Sequence, residues 1–240
     1  VVYFPACVSR IFGVSDGSQD GSQTDVIEGL FTTAGVRAIY PQKVNQLCCG
    51  MAFASKGFFA AAQQKMEQLI SELVSASQGV HPILIDTSPC ASRLRTYASR
   101  NTNLRIYDIS EFLLEKVVPS VRIQKARGPI GVHVPCSLKA NGGDQNLLQL
   151  ARLCAERVHI ADSAPCCGFA GDRGFNYPEL PASALGRFAD DLPHGCEEGY
   201  SSSRTCELGI SMHSGINFRS VAYLLDKVST ARWTEGAIRP

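Results

Sequence analysis

Short apolar runs alternate with longer amphipathic stretches along all 240 residues. Val1–Phe4 predicts a strand near 1–6, Val36–Tyr40 a second, and the apolar run ending at Asp86 (82–86) a third, since each is brief and rich in β-branched or aromatic side chains. Helical spacing runs over 25–31, 57–76 and 109–117, and the Gly/Ser/Asp/Gln stretch at 13–24 reads as a mobile loop. Beyond it the order repeats: strand 130–134, helix 145–158, strand 157–161, helix near 178–189, helix 217–228. Strands alternating with helices predict the α/β class, with a small, mostly parallel sheet flanked by helices in each half. The expected division is a first domain at 1–118, a linker at 119–129 and a second domain at 130–240.

The cysteines repeat with the elements. Cys7, Cys48-Cys49-Gly50 and Cys90 in the first half match Cys136, Cys166-Cys167-Gly168 and Cys206 in the second. Both Cys-Cys-Gly turns lead on to a basic-Gly-Phe triplet, Lys56-Gly57-Phe58 and Arg173-Gly174-Phe175. The offset shrinks from 129 residues at Cys7/Cys136 to 116 at Cys90/Cys206, as loop deletions between equivalent elements would make it. A duplicated domain is the reading, with the halves expected to be related by a pseudo-two-fold axis. Strand ends are where open α/β sheets place their ligands, and that is where these cysteines fall.

Composition narrows the chemistry. A hydrophobic share of 45% supports two ordinary cores, and a net charge of +1 leaves no electrostatic footprint for nucleic acid. Ten cysteines are too few for a disulfide scaffold of this length. Neither a signal peptide nor a membrane-spanning run is visible, so the chain is expected in the cytoplasm, with peripheral attachment at the inner membrane as a variant. It opens without Met, directly in a strand, and reads as a piece of something longer.

Three holders of the thiols stay open. Structural zinc usually draws ligands from C-x2–4-C pairs, and this chain has none. Adjacent cysteines suit a larger body with several irons, and the following Gly permits a tight turn whose N–H groups face sulfur, so iron–sulfur is favoured. A vicinal redox dithiol is the third option, but it leaves the distant partner cysteines unexplained.

Longer strings make the resemblance specific. Cys48-Cys49-Gly50-Met51-Ala52-Phe53-Ala54-Ser55-Lys56-Gly57, Asp86-Thr87-Ser88-Pro89-Cys90, Cys166-Cys167-Gly168-Phe169-Ala170-Gly171-Asp172-Arg173-Gly174-Phe175 and Gly199-Tyr200-Ser201-Ser202-Ser203-Arg204-Thr205-Cys206-Glu207 resemble the CCG (cysteine-rich) domain pair. That pair occurs in the B subunit of heterodisulfide reductase, in glycolate oxidase iron–sulfur subunits and at the C-terminus of flavin-dependent D-lactate dehydrogenases, and the strings resemble the last most closely. The resemblance implies an electron-transfer module with two iron–sulfur clusters of the 4Fe-4S type. Their ligands would be Cys7, Cys48, Cys49 and Cys90, and Cys136, Cys166, Cys167 and Cys206. It further implies FAD on a preceding domain, a D-2-hydroxy acid as substrate, and a quinone or cytochrome as acceptor. Where the reductases carry a fifth cysteine per site, this chain has Thr87 and Ser203, which counts against disulfide-reducing chemistry. A thiol–disulfide reductase and a zinc-bound or metal-free docking module are the rival functions.

Two cysteines stand outside the plan. Cys154 falls on an apolar helix face and reads as packing; Cys196, ten residues before Cys206, is a candidate extra ligand. His133 is expected to bond a backbone group in the core, and for His213, a candidate donor near the second cluster, an ordinary structural role is the favoured reading. Lys56, Arg173 and Arg204 are placed to offset cluster charge. No residues here form a flavin, nucleotide or nucleophile motif, so no catalytic residue is assigned and the fragment alone is not expected to oxidise substrate.

Overall fold

A computed structural model describes residues 1–13 and 21–232. Residues 14–20, the middle of the expected loop, and 233–240 lie outside the described residues. The first half runs β1 (Val2–Phe4), α1 (Cys7–Ile11), α2 (Gln23–Ala34), α3 (Met51–Ser55), α4 (Phe59–Ser77), β2 (Ile83–Ile85), α5 (Ser88–Asn101), β3 (Ile106–Asp108) and α6 (Ile109–Phe112). A π-helical turn at Leu113–Val117 and a 3-10 turn containing Pro119 close it. The second half runs β4 (Val121–Ile123), β5 (Ala126–Val132), α7 (Cys136–Lys139), α8 (Asp144–Cys154), β6 (Ala155–Ile160), α9 (Glu179–Leu185), β7 (Glu198–Ser201), α10 (Arg204–Ser214), β8 (Asn217–Ser220), α11 (Val221–Val228) and β9 (Ser229–Ala231).

Two parallel sheets carry the fold. β1, β2 and β3 pair in that order, and a parallel bridge from Val2 to Ile39 adds a vestigial fourth strand beside β1. The second sheet has the order β6-β5-β7-β8, all parallel. With the Ile39 bridge counted, the two halves share one strand order. The protein is an α/β fold of parallel sheets flanked by helices.

Side-chain alternation explains why both faces of the first sheet are dry. Tyr3 and Leu84 enter a central core shared with Ile130, Val132, Tyr200 and Leu224 of the second half. Val2, Phe4, Ile83 and Ile85 point the other way, onto Met66, Leu69 and Leu73 of α4. A strand with both faces covered reads as a continuous apolar run, and each buried side chain contributes about 1.5–3 kcal/mol. A third core, around Phe169, Phe188 and Phe218, lies in the second half.

Several elements differ from the expectations. The strand expected at 36–40 shrinks to its single bridge at Ile39. The helix expected to reach 158 stops at Cys154, because β-branched Val158 and Ile160 pair with Ile130 and Val132 in the sheet. The helix expected from 217 starts at Val221, where the Ser220 hydroxyl accepts the Ala222 N–H; residues 217–220 are β8. Within 119–129, β4 pairs antiparallel with β9 and β5 already begins at Ala126, so this stretch is built into the sheets.

Candidate metal centres

Each half gathers its four cysteines beyond the C-terminal ends of its strands. Cys7 begins α1 just after β1, Cys90 lies in the first turn of α5 just after β2, and Cys48-Cys49 precede α3. Cys136, Cys206 and Cys166-Cys167 hold the same places after β5, after β7 and after β6. Thr87 and Ser203, the residues before α5 and α10, share one backbone conformation, with φ of −142° and −141°. The Sγ atoms of Cys49 and Cys90 lie 3.0 Å apart, those of Cys167 and Cys206 2.9 Å. Cys7 shares a hydrogen bond with Cys48, and Cys136 with Cys166. Each half thus brings one close sulfur pair together beside its Cys-Cys-Gly turn.

The Gly after each pair shapes the turn. Gly50 and Gly168 sit at φ +76° and +74°, and their N–H groups point at the Cys48 and Cys166 sulfurs from 3.3 and 3.4 Å. Backbone donors aimed at sulfur favour the thiolate. In the first site the thiols of Cys49 and Cys7 donate to Cys48 and hold it far below its ordinary pKa. The same bonds drive Cys7 and Cys49 up. In the second, Cys167 and Cys206 share the 2.9 Å contact and their titrations split, Cys167 down and Cys206 up, while partial burial raises Cys136. Loading a metal group at either site must displace the thiol protons.

The donor set is four soft thiolates per site, which suits zinc or iron–sulfur and excludes hard cations. Among the described residues, no group of three or more Cys, His, Asp or Glu closes around the position of a single ion. The closest sulfur pairs, at 3.0 and 2.9 Å, are also tighter than the roughly 3.8 Å edge of a tetrahedral zinc–thiolate site. They must spread to hold any metal group.

The remaining candidates fall elsewhere. Cys196 packs beside the Gly131 backbone and the Glu198 carbonyl, with none of the plan cysteines as partner. Cys154 is buried in the central core, and burial pushes its thiol up to about 12. His133 is buried, its Nδ1 3.2 Å from the Ser201 hydroxyl rather than on a backbone group, and burial lowers it to about 4. His213 is exposed at the far end of α10 from Cys206. Arg204 is buried beside Glu207 at 3.6 Å and also donates to the Gly13 carbonyl.

One supporting residue carries a signal the sequence does not spell out. The Asp86 carboxylate accepts from Ala6 N at 2.8 Å and from the Tyr3 hydroxyl at 3.0 Å, fixing the β1–α1 turn that presents Cys7. Burial raises Asp86 to about 6 and Glu207 to about 7. Both folded values exceed the unfolded ones, so between about pH 4 and 7 the folded chain binds more protons than the unfolded chain. Their contribution therefore falls as pH rises through this window, by on the order of 3 kcal/mol per group. The urea midpoint of metal-free protein is expected to drop between pH 5 and 8, and Asp86→Asn to flatten part of the drop. A midpoint rising over this range contradicts the assignment.

The cysteine-rich domain family matches residues 1–95 and 130–189, the two stretches that supply seven of these eight cysteines. The chain belongs to the cysteine-rich (CCG) domain family. Among curated proteins, this CCG chain is 26% identical over 199 residues to the C subunit of anaerobic glycerol-3-phosphate dehydrogenase from Escherichia coli K12, covering 76% of the chain and 48% of that protein. The same protein from Escherichia coli O157:H7 matches equally. The chain thus spans about half the length of these curated relatives. Glutamate racemase from Aquifex pyrophilus aligns over 84% of the chain and 76% of its own, with 11% identity and a TM-score of 0.34, too loose to carry an argument. Among the described residues, no helix is long and apolar enough to cross a membrane.

Proposed function

We propose that this chain is the electron-transfer part of a flavin-dependent dehydrogenase for a D-2-hydroxy acid of the D-lactate type. Cys7, Cys48, Cys49 and Cys90 would hold one 4Fe-4S cluster, and Cys136, Cys166, Cys167 and Cys206 the other. The observation that supports the reading is the repeat of one close sulfur pair, Cys49/Cys90 and Cys167/Cys206, beside each Cys-Cys-Gly turn at equivalent strand ends. A relative named as part of a dehydrogenase supports the oxidoreductase class. A bound cluster supplies reversible one-electron chemistry. The chain supplies the thiolates, the N–H groups of Gly50 and Gly168 toward sulfur, and the apolar walls around Cys49, Cys90, Cys167 and Cys206. Flavin would sit on another part of the full-length protein, with a quinone or cytochrome receiving the electrons.

Protein purified without oxygen is expected to contain about eight iron and eight sulfide per chain, little zinc and no flavin. In the full-length flavoprotein, D-lactate should bleach the cluster absorbance. The close thiol pairs Cys49/Cys90 and Cys167/Cys206 favour one second reading, a thiol–disulfide reductase. Iron-free protein that cycles these pairs between dithiol and disulfide would establish it instead.

A further inference from the structure

Basic side chains gather at one place where acids are missing. Residues 121–127 carry Arg122, Lys125 and Arg127 and no acid, in a chain whose 23 basic and 22 acidic side chains otherwise nearly cancel. This stretch, the end of β4 and the start of β5, lines a cleft of about 610 Å³ together with residues 227–230 of α11 and β9, and Lys227 adds a fourth cation to the wall. No lining residue is acidic. Among the described residues, Arg122, Lys125 and Arg127 pair with no carboxylate, while Lys227 reaches that of Glu198 at 2.7 Å. Arg157 Nε donates to the Arg127 carbonyl at 3.3 Å and brings a further cation to the flank.

The backbone aims these charges at the cleft. Strand alternation buries Val121 and leaves Arg122 exposed. The pairing of β5 with β6 is irregular between Ala126 and Pro129, and a bulge of this kind re-aims the side chain it holds, here Arg127. Like charges gathered without acids raise the local potential and cost stability, and an anion seated among them recovers that cost. The cleft also lies at the opposite end of the second sheet from the cysteines. From it, β5 runs seven residues, about 20 Å, toward Cys136. The electron-transfer reading makes no use of it.

We propose that this cleft binds a small polyanion built on a chain of phosphate groups. Guanidinium forks donate to phosphate oxygens in pairs, and lysines add point charges. The cations come from two separate segments, 122–127 and Lys227, so a ligand that meets them all carries charge at more than one position. A single phosphate or a monocarboxylate does not. The volume suits a short phosphate chain. No lining residue bears an aromatic ring, so the phosphates rather than a stacked base supply the recognition. The site stands whether or not the cysteines hold iron.

The test is calorimetric titration of the purified protein with tripolyphosphate, ATP and citrate at about 0.15 M salt, where charges more than about 8 Å apart are largely screened. Arg127→Ala and Lys125→Ala are compared with wild type and with Arg37→Ala, which removes an exposed cation elsewhere. Tripolyphosphate should bind wild type at a single site and raise its thermal midpoint. Arg127→Ala should weaken binding about tenfold by removing a charge-assisted pair. Lys125→Ala should weaken it less, and Arg37→Ala should leave it unchanged. ATP binding no tighter than tripolyphosphate identifies the phosphate chain alone as the ligand, and tighter ATP binding identifies a nucleotide; either result supports the site. Absence of tripolyphosphate binding, equal weakening by Arg37→Ala and Arg127→Ala, or citrate bound as tightly as tripolyphosphate overturns the proposal. Flotation with phosphatidylglycerol vesicles that is lost in Arg127→Ala, without tripolyphosphate binding, also overturns it and marks the patch as a membrane contact.

Discussion

Cys49→Ser is expected to halve the iron and sulfide of the anaerobically prepared protein, from about eight to about four of each per chain. Cys49 is buried with Cys90, Leu47, Met66 and Leu94, its sulfur against that of Cys90 and its carbonyl accepting from Arg93 Nε at 2.9 Å. Serine fills nearly the same volume and keeps the backbone bond, so the local fold should survive. A hydroxyl is a hard, weakly acidic donor, and a soft iron–sulfur centre discriminates against it. Cys167 and Cys206 belong to a separate apolar core in the other half. One of two electron paramagnetic resonance signals of the reduced protein should therefore vanish and the other persist. Cys167→Ser should produce the reciprocal loss. Disappearance of both signals with either substitution, or of neither, is incompatible with two independent four-thiolate sites.

The cysteine plan was more legible than the elements that hold it. Its two copies single out eight thiols because their order survives loop deletion, and the structure places them beyond equivalent strand ends, with Cys49 against Cys90 and Cys167 against Cys206. The helices presenting Cys90 and Cys206 were invisible. α5 is a run rich in Ser, Arg and Thr in which the polar Ser88 and the scattered Cys90, Ala91, Leu94 and Ala98 turn inward, and α10 includes Gly209, where a Cβ would strike the Phe169 ring at 2.4 Å. Neither shows the wide apolar stripe by which a helix is read. Strands β3, β7 and β8 are three or four residues long, too short for alternation to register. The support around Cys7 was hidden for another reason. Asp86 contacts Ala6 and Tyr3 across some 80 positions of sequence, and Ser88 N reaches the Ser202 carbonyl across 114. No local pattern announces such pairings. Lys56 and Arg173 show the intermediate case: the triplets were conspicuous as a repeat, but only the fold shows each cation serving the opposite half, Lys56 on the Asp172 carboxylate and Arg173 on the Ser55 carbonyl.

Gly50→Ala is expected to be the most damaging single change outside the cysteines. Two independent costs coincide there. At φ +76° a side chain strains the backbone by about 1–2 kcal/mol. In addition, a Cβ would stand 2.4 Å from the Ala62 carbonyl oxygen and 3.0 Å from its Cα, and these backbone atoms of α4 cannot rotate away. Overpacking of that kind costs about 1–3 kcal/mol more, so a total loss of about 3 kcal/mol is expected. To relieve it, α4 must move off the turn, taking Met66 and Leu69 away from Cys49 and misaiming the Gly50 N–H from the Cys48 sulfur. Gly35→Ala is the matched control. Gly35 has a similar φ of +69° at the end of α2, but a Cβ there meets nothing within 4 Å. Its loss should be limited to the backbone strain, about 1 kcal/mol. Urea denaturation of both variants, read with their iron content, separates the terms: Gly50→Ala should unfold far earlier and load iron in the second site only, whereas Gly35→Ala should load both. Equal destabilisation by the two substitutions would mean that α4 does not press on the first Cys-Cys-Gly turn.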